Sequence, residues 1–212
     1  SLPVVRRRLS WGSGSRPPVP PEVIDTAAGS MRRLTAADAP TLSAAAVESL
    51  EHLRPWMPWA TPEGVSVRAQ RDRLLGPAGG WAPTGDYEYG IFLPDGALVG
   101  ACGLHRRIGP SALMIGYWVH VDHVGRGIAT ACAEALTTAG FGLRRVERME
   151  IHCDDANAAS AAVPAKLGYH LAGHIDHARE APGETGSRMV WVVHRREWAS
   201  APPGRARGKP VD

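Results

Sequence analysis

The stretch GYWVHVDHVGRGIATACAEAL, residues 116–136, decides the fold. It continues an apolar run that begins at Ile115 and is typical of a strand, and it then reaches the turn Gly125-Arg126-Gly127. The alanine-rich segment after the turn has helical periodicity. A strand that passes through Gly-x-Gly into a helix directs backbone N–H groups and the positive end of the helix dipole at one point. The junction is therefore either a phosphate or pyrophosphate site or an ordinary tight turn.

Other segments alternate between strand and helix patterns on both sides of this junction. Thr35, followed by Asp38, has the character of an N-cap, and apolar residues at helical spacing continue from it to Leu53 in one helical segment. A further helix, 158–167, is ended by Gly168. The remaining predicted helices are 66–75 and 128–141, and the predicted strands are 31–34, 87–93, 97–104, 113–119, 148–153, 169–173 and 189–194. This order predicts an α/β fold, a mixed sheet with helices on its faces.

Charge and composition divide the 212 residues into a domain and two tails. Residues 1–21 are rich in Pro and Arg and residues 201–212 are basic, so both are predicted to be disordered, and the domain is predicted to span 22–200. The net charge of +3 comes from these ends, since the domain itself is slightly acidic. We therefore expect no nucleic-acid partner. No apolar run approaches the length of a membrane span, which predicts no membrane partner and a cytoplasmic protein.

The cysteines and histidines do not form metal-binding patterns. Cys102, Cys132 and Cys153 are odd in number and lie in apolar or alanine-rich surroundings, which predicts buried thiols rather than disulfides. The nine histidines lack the helical spacing of ligands. We predict no metal site.

Two nucleotide-binding patterns can be compared with the glycine turn. The dinucleotide fingerprint G-x-G-x-x-G requires a third glycine, but Thr130 stands at that position, and the turn lies past the middle of the chain. VGRGIA, residues 124–129, instead resembles the Q/R-x-x-G-x-G/A pyrophosphate loop of the GNAT acyl-CoA N-acyltransferases. NAASAAVPAKLGY, residues 157–169, resembles the N-x-x-S…K-L-G-F segment of the RimJ/RimL-like branch of that family.

The resemblance implies a GNAT fold, with a mostly antiparallel central sheet that is splayed to hold acyl-CoA and has helices on both faces. Acetyl-CoA would be the co-substrate. Its pantetheine would pair with backbone groups of residues 118–120, its pyrophosphate would lie on the N–H groups of 124–130, and Asn157 would bind the pantetheine arm or an ordered water. The implied cofactor-binding residues are Trp118, Val119, His120, Val124, Gly125, Arg126, Gly127, Ile128, Ala129, Thr130, Asn157 and Ser160.

Pro164 is the main departure from the pattern. Many GNAT enzymes place a tyrosine general acid there, whereas proline has no proton to donate and no N–H with which to pair the Ser160 carbonyl. The hydroxyl of Ser160 is then the best candidate for the acid, with packing or capping as its alternative role. Val124 replaces a usual Gln or Arg, which matters little where the contacts are made by the backbone. Glu150 and His105 are the first candidates for the general base, and each is otherwise an ordinary hydrogen-bonded strand residue.

The resemblance implies transfer of an acetyl group to a primary amine, and its RimJ/RimL-like branch acetylates protein N-termini among other amines. A protein N-terminal α-amine is therefore the expected acceptor. Small-molecule amines and protein lysines are the alternatives, and so is a non-catalytic acyl-CoA sensor, which Pro164 alone supports. A homodimer would be consistent with the family.

Overall fold

A computed structural model describes residues 18–76 and 80–200, and these contain an eight-stranded sheet. The strands are β1 (Val23–Thr26), β2 (Gly29–Arg33), β3 (Tyr87–Phe92), β4 (Leu98–His105), β5 (Ala112–Val119), β6 (Arg148–Asp154), β7 (His170–Asp176) and β8 (Ser187–His194). Their spatial order is β1-β2-β3-β4-β5-β6-β8-β7. All neighbouring strands are antiparallel except β5 and β6, which are parallel.

Helices cover both faces of this sheet, and each face has its own core. The helices are α1 (Ala39–Glu48), α2 (Leu50–Leu53), α3 (Val67–Leu75), α4 (Ile128–Gly142), α5 (Ala158–Leu167) and α6 (Arg195–Ser200). Successive strand residues point to opposite faces, so Ala101 belongs to the core that contains Leu42 of α1, whereas Cys102 belongs to the core that contains Leu136 of α4. The predicted class, a mixed and mostly antiparallel sheet between helices, is confirmed.

One prediction about the elements needs correction, and two short elements were not predicted. The helix predicted through Leu53 is broken at Ser49, whose hydroxyl accepts a hydrogen bond from the N–H of Val121 (3.1 Å) and so joins the break to the end of β5. β1 and α6 were not predicted, because each is short and carries no clear periodicity of its own. In contrast, α5 has the predicted bounds, and Gly168 after it adopts a left-handed φ of 81°.

The packed part of the chain begins before the predicted boundary at residue 22. The hydroxyl of Tyr89 donates a hydrogen bond to the carbonyl of Pro21 (2.7 Å), and the indole of Trp81 donates one to that of Pro20 (3.3 Å). Residues 18–21 therefore belong with the domain rather than with the tail. The rest of the predicted N-terminal tail and the predicted C-terminal tail lie outside the described residues.

The cysteines are buried and unpaired, as predicted. No group of three or more His, Cys, Asp or Glu residues that could hold a metal ion occurs in residues 18–76 and 80–200. Within the same ranges, no helix has both the length and the apolar character that crossing a bilayer requires.

Candidate active site

The two parallel strands in the middle of the sheet separate part of the way along their length. β5 and β6 pair from Ala112 with Arg148 to Ile115 with Ile151, and β5 then runs on to Val119 and β6 to Asp154 without further pairing. Both strands keep their antiparallel partners on the outer side. The sheet is thus open between these two strands, as the splayed sheet of the sequence prediction requires.

The glycine turn lies at the open end of β5. Gly125 and Gly127 have φ values of 73° and 78°, a left-handed conformation that glycine adopts without strain. A Cβ at either position would have no heavy atom within 4 Å, so the backbone faces open space. Gly127 is the N-cap of α4 and supplies no side chain to its first turn. The N–H groups there are available to an anion.

A cavity of about 480 Å³ connects this turn with the opening between the strands. On one side it is bounded by His52, Trp56 and Met57, near the end of α2, and on the other by α5. Ten of the twelve residues implied as cofactor-binding line it: Trp118, Val119, Val124, Gly125, Gly127, Ile128, Ala129, Thr130, Asn157 and Ser160. The two tryptophans after α2 have different roles, because Trp56 lines the cavity whereas Trp59 packs on the ring of Trp118 (5.9 Å between centroids).

His120 and Arg126 do not line this cavity. The N–H of His120 donates to Val99, its carbonyl accepts from the N–H of His123, and its Nε2 lies 2.9 Å from Glu48 Oε2. These partners make His120 a link between β5 and α1. The guanidinium of Arg126 donates to the carbonyl of Asp122 (2.8 Å) and therefore lies back along the turn.

Ser160 is held at the start of α5 by contacts from several directions. Asn157, the N-cap, accepts a hydrogen bond from the N–H of Ser160 (3.1 Å). The hydroxyl of Tyr117, on β5, donates to the carbonyl of Ser160 (3.0 Å) and lies 3.2 Å from Ser160 Oγ. The prediction that Pro164 deprives this carbonyl of its helical partner is confirmed, and Tyr117 is the replacement that sequence reasoning missed.

Glu150 lies on β6 with both carboxylate oxygens engaged. Oε1 is 2.5 Å from Arg148 Nε, and Oε2 is 2.6 Å from His152 Nε2. Burial alone would raise the pKa of Glu150, but the hydrogen bonds from His152 and Arg148 lower it below its ordinary value. Glu150 is therefore a stable carboxylate that orients the imidazole of His152, the first residue of β6 beyond the last pair with β5.

His105, at the end of β4, is the imidazole of a second such pair. Its Nδ1 lies 3.0 Å from Asp86 Oδ2, and a Cβ on Gly116 would lie only 3.1 Å from its Nε2. Burial acts to raise the pKa of Asp86, yet hydrogen bonds from His105 and the N–H of Arg106 hold it far below its usual range. Asp86 was missed, although an acidic residue immediately before a strand was the available signal.

The pairing register places these groups on one face of the sheet. His105 is opposite Met114, and Met114 is opposite Glu150, so the three share a face, whereas Tyr117, an odd number of residues from Met114, points to the other. Neither His105 nor Glu150 is among the residues that line the cavity. The carboxylate–imidazole pairs and the Tyr117–Ser160 contact thus lie on opposite faces of the sheet.

Comparison with known proteins agrees with this fold and site. The sequence profile of the family described as "Acetyltransferase (GNAT) domain" matches residues 30–170, which include the glycine turn and all of α5. The fold, with its sheet open between β5 and β6, is that of a GNAT acyltransferase. The chain belongs to the GNAT acetyltransferase family and is an N-acetyltransferase.

Individual relatives are consistent with the RimJ/RimL-like branch of this family. The chain is 27% identical over 170 residues to "Putative ribosomal N-acetyltransferase YdaF" of Bacillus subtilis (strain 168), with 79% of this chain and 92% of that protein covered. The structure of Mycobacterium smegmatis RimJ in complex with CoA-disulfide superimposes with a TM-score of 0.73 at 24% identity, covering 87% of this chain and 89% of that one. The structure of ribosomal-protein-S5-alanine acetyltransferase from Vibrio fischeri superimposes with a TM-score of 0.73 at 18% identity, and the match covers 83% of this chain and 98% of that one. These two structures establish the shared fold.

Proposed function

We propose that this protein transfers the acetyl group of acetyl-CoA to a protein N-terminal α-amine. One observation carries the proposal: a single cavity joins the left-handed Gly125 and Gly127 to the opening between β5 and β6. The names of two relatives, "Putative ribosomal N-acetyltransferase YdaF" and ribosomal-protein-S5-alanine acetyltransferase, support an acceptor that is a protein N-terminus.

The residues around the cavity fit acetyl-CoA. Open space at Gly125 and Gly127, beside the uncapped first turn of α4, suits a pyrophosphate. Lys166, exposed at the far end of α5 and part of the lining, adds a positive charge for a phosphate. β5 beyond Ile115 offers unpaired backbone to the pantetheine amides. When bound, acetyl-CoA supplies an acetyl thioester as the acyl donor.

The acceptor amine must be neutral before it can attack. At pH 7 this costs about 1 kcal/mol for an α-amine of pKa ~7.7–8.0, against about 4.6 kcal/mol for a lysine of pKa ~10.4. A carboxylate-held imidazole is sufficient for the smaller cost. Glu150 acts through His152, and His105 with Asp86 is the alternative. The variants His152→Gln and His105→Gln distinguish the two candidates. Loss of the base should lower turnover at pH 7 but much less at pH 9, where the α-amine is neutral without help.

The departing sulfur needs stabilisation on the other side of the strand. As the new N–C bond forms and the C–S bond breaks, the amine proton passes to the base and the electron pair stays on sulfur. Ser160, which lines the cavity, donates a hydrogen bond to that sulfur through Oγ. Backbone N–H groups of β5 past its last pair with β6 stabilise the developing oxyanion.

A direct test incubates the full chain with acetyl-CoA and an acceptor panel. The panel contains Ala- and Ser-starting peptides, the same peptides with blocked N-termini, lysine peptides, polyamines and small amines. Mass spectrometry detects the acetylated product, and released CoA is measured separately. We expect acetylation confined to free peptide α-amines.

The other outcomes assign the site differently. Acetylation confined to small amines, or to lysines of blocked peptides, would overturn the proposed acceptor and leave the acetyltransferase. Binding of acetyl-CoA without release of CoA for any amine would overturn the proposed function in favour of a sensor.

A further inference from the structure

Helix α5 contains a break in its hydrogen bonding that the helix itself cannot repair. Pro164 lies inside the helix, four residues after Ser160. Because proline has no N–H, the Ser160 carbonyl has no donor at the usual position. A carbonyl left without a partner in a partly buried place is costly, so it must be satisfied from elsewhere.

The replacement donor comes from another element, 43 residues away in the sequence. Tyr117 projects from β5, and its hydroxyl lies 3.0 Å from the Ser160 carbonyl oxygen. Burial raises the pKa of the Tyr117 hydroxyl well above its ordinary value, despite the hydrogen bond with Ser160. The phenol therefore keeps its proton at neutral pH and remains a donor.

Both residues line the cavity, so this bond connects its two walls. β5 is the wall on one side of the opening, and α5 follows β6, the wall on the other. The same phenol oxygen lies 3.2 Å from Ser160 Oγ. Ser160 also forms a hydrogen bond with the thiol of Cys153. Burial raises the pKa of this thiol and the hydrogen bond with Ser160 lowers it, and the net pKa is about 11. The position of the serine hydroxyl is thus determined from β5 and β6 together.

We propose that Tyr117 is a positioning residue for Ser160, and that Pro164 is what makes this role possible. The proline frees the Ser160 carbonyl, the tyrosine hydroxyl binds it, and the serine hydroxyl is thereby fixed toward the opening between the strands. Because the only proton of the phenol is directed at the carbonyl, the Ser160 O–H is the donor in the 3.2 Å contact with the phenol oxygen, and during the reaction it turns from that oxygen to the departing sulfur. This inference rests on the proposed function for the role of Ser160 itself.

The test compares two hydroxyl deletions on the same side of the sheet. Tyr117→Phe removes the bond to Ser160. Tyr169→Phe is the matched control, because its buried hydroxyl contacts Thr137 Oγ1 (2.7 Å) and lines no part of the cavity. We expect Tyr117→Phe to lower kcat about tenfold to a hundredfold, as a misplaced catalytic group does, with a small change in the KM for acetyl-CoA. Tyr169→Phe should leave kcat close to wild type.

Two double variants distinguish positioning from packing. On a Ser160→Ala background, Tyr117→Phe should cause little further loss, because the residue that it positions is gone. Pro164→Ala restores an N–H to the helix, so Tyr117→Phe should also cost less on that background. Two results in an active enzyme would overturn the inference while the proposed function stands. One is a kcat of Tyr117→Phe equal to that of Tyr169→Phe, and the other is a loss of turnover from Tyr117→Phe that is as large on the Ser160→Ala background as in the wild type.

If the wild type acetylates no amine, the proposed function is overturned. The hydrogen bond from Tyr117 to the Ser160 carbonyl can then still be tested by measurements of stability. Unfolding free energies of the Tyr117→Phe and Pro164→Ala single and double variants form a cycle. A coupling between the two substitutions supports a shared Ser160 carbonyl. Additive effects overturn it.

Discussion

Glu150 carries its charge in a nearly closed environment, with a guanidinium on one carboxylate oxygen and an imidazole on the other. Its side chain is only 8% exposed. Burial of such a group is tolerated because both oxygens have charged or polar partners. The net result is a pKa below the ordinary value of 4.5, which links this single residue to the pH dependence of stability.

Glu150→Gln should lower the free energy of unfolding at pH 7 by about 1–3 kcal/mol, since charge-assisted hydrogen bonds are replaced by weaker ones. A carboxyl group whose pKa is lower in the folded protein than in the unfolded chain stabilises the folded state at any pH above the unfolded-chain pKa. This contribution disappears as pH falls through the pKa of the folded protein. The difference between wild type and variant should therefore shrink as pH falls below about 4.5, the ordinary pKa of this carboxyl. Urea unfolding at pH 7 and pH 4 measures it.

Glu51→Gln is the control for this measurement, because the side chain of Glu51 is 85% exposed and its ion pair with Arg54 spans 3.9 Å. That variant should differ little from wild type at either pH. A Glu150→Gln deficit that grows on acidification would mean that the carboxyl pKa is raised in the folded protein.

At the scale of elements, the junction of β5 and α4 carries the candidate anion site. The site depends on backbone rather than on charged side chains, since Arg126 binds its own turn and Val124 is apolar. Left-handed glycines allow close approach at two positions, and the long helix α4 begins directly after them. A side chain at the second glycine would occupy the space in which a pyrophosphate would lie.

Gly127→Trp should abolish measurable binding of CoA in calorimetry, because the indole fills this space. Gly96→Trp is the matched control: Gly96 has a φ of 88° and equally open surroundings, but it lies in the turn between β3 and β4. Both substitutions place a side chain in the left-handed region, so they should reduce stability by similar amounts. Equal CoA affinity in both variants would reject the glycine turn as the pyrophosphate site.

At the scale of the whole molecule, contacts distant in sequence attach the first described residues to the sheet. Tyr89 is fully buried, and its hydroxyl has the carbonyl of Pro21, 68 residues earlier, as its partner. Burial also raises the pKa of Tyr89. The hydroxyl is a neutral donor in an apolar environment, where the loss of its acceptor is costly.

A chain that begins at residue 22 should therefore unfold with a free energy lower by about 1–3 kcal/mol than one that begins at residue 18. Chemical denaturation of both chains measures the difference. Tyr89→Phe should be clearly destabilising in the longer chain and nearly neutral in the shorter one, where the hydroxyl has already lost its partner. An equal effect in both chains would show that the Pro21 bond contributes nothing.

Local signals explain what the sequence could predict. The bounds of α5 follow from Asn157 as N-cap and Gly168 as C-cap, and the turn before α4 follows from two closely spaced glycines. Most strands were found within two or three residues because short segments enriched in apolar and aromatic residues lie between turn or helix signals. β1 and the break at Ser49 were missed, since the first is very short and the second is stabilised by Val121, far along the chain.

By itself, the sequence determined the glycine turn, the end of α5 at Gly168 and the loss of the helical partner of the Ser160 carbonyl, because each depends on residues within one turn of the chain. The order of strand and helix patterns along the chain determined the fold class. Only the tertiary structure decided that Tyr117 binds that carbonyl, that Asp86 and Glu150 hold His105 and His152, and that His120 is a link to α1. These pairings depend on strand register and on which face each side chain occupies. A shift of one residue would move each strand side chain to the other face of the sheet, and the pairs of β6 with β5 and β8 join strands that are distant in sequence.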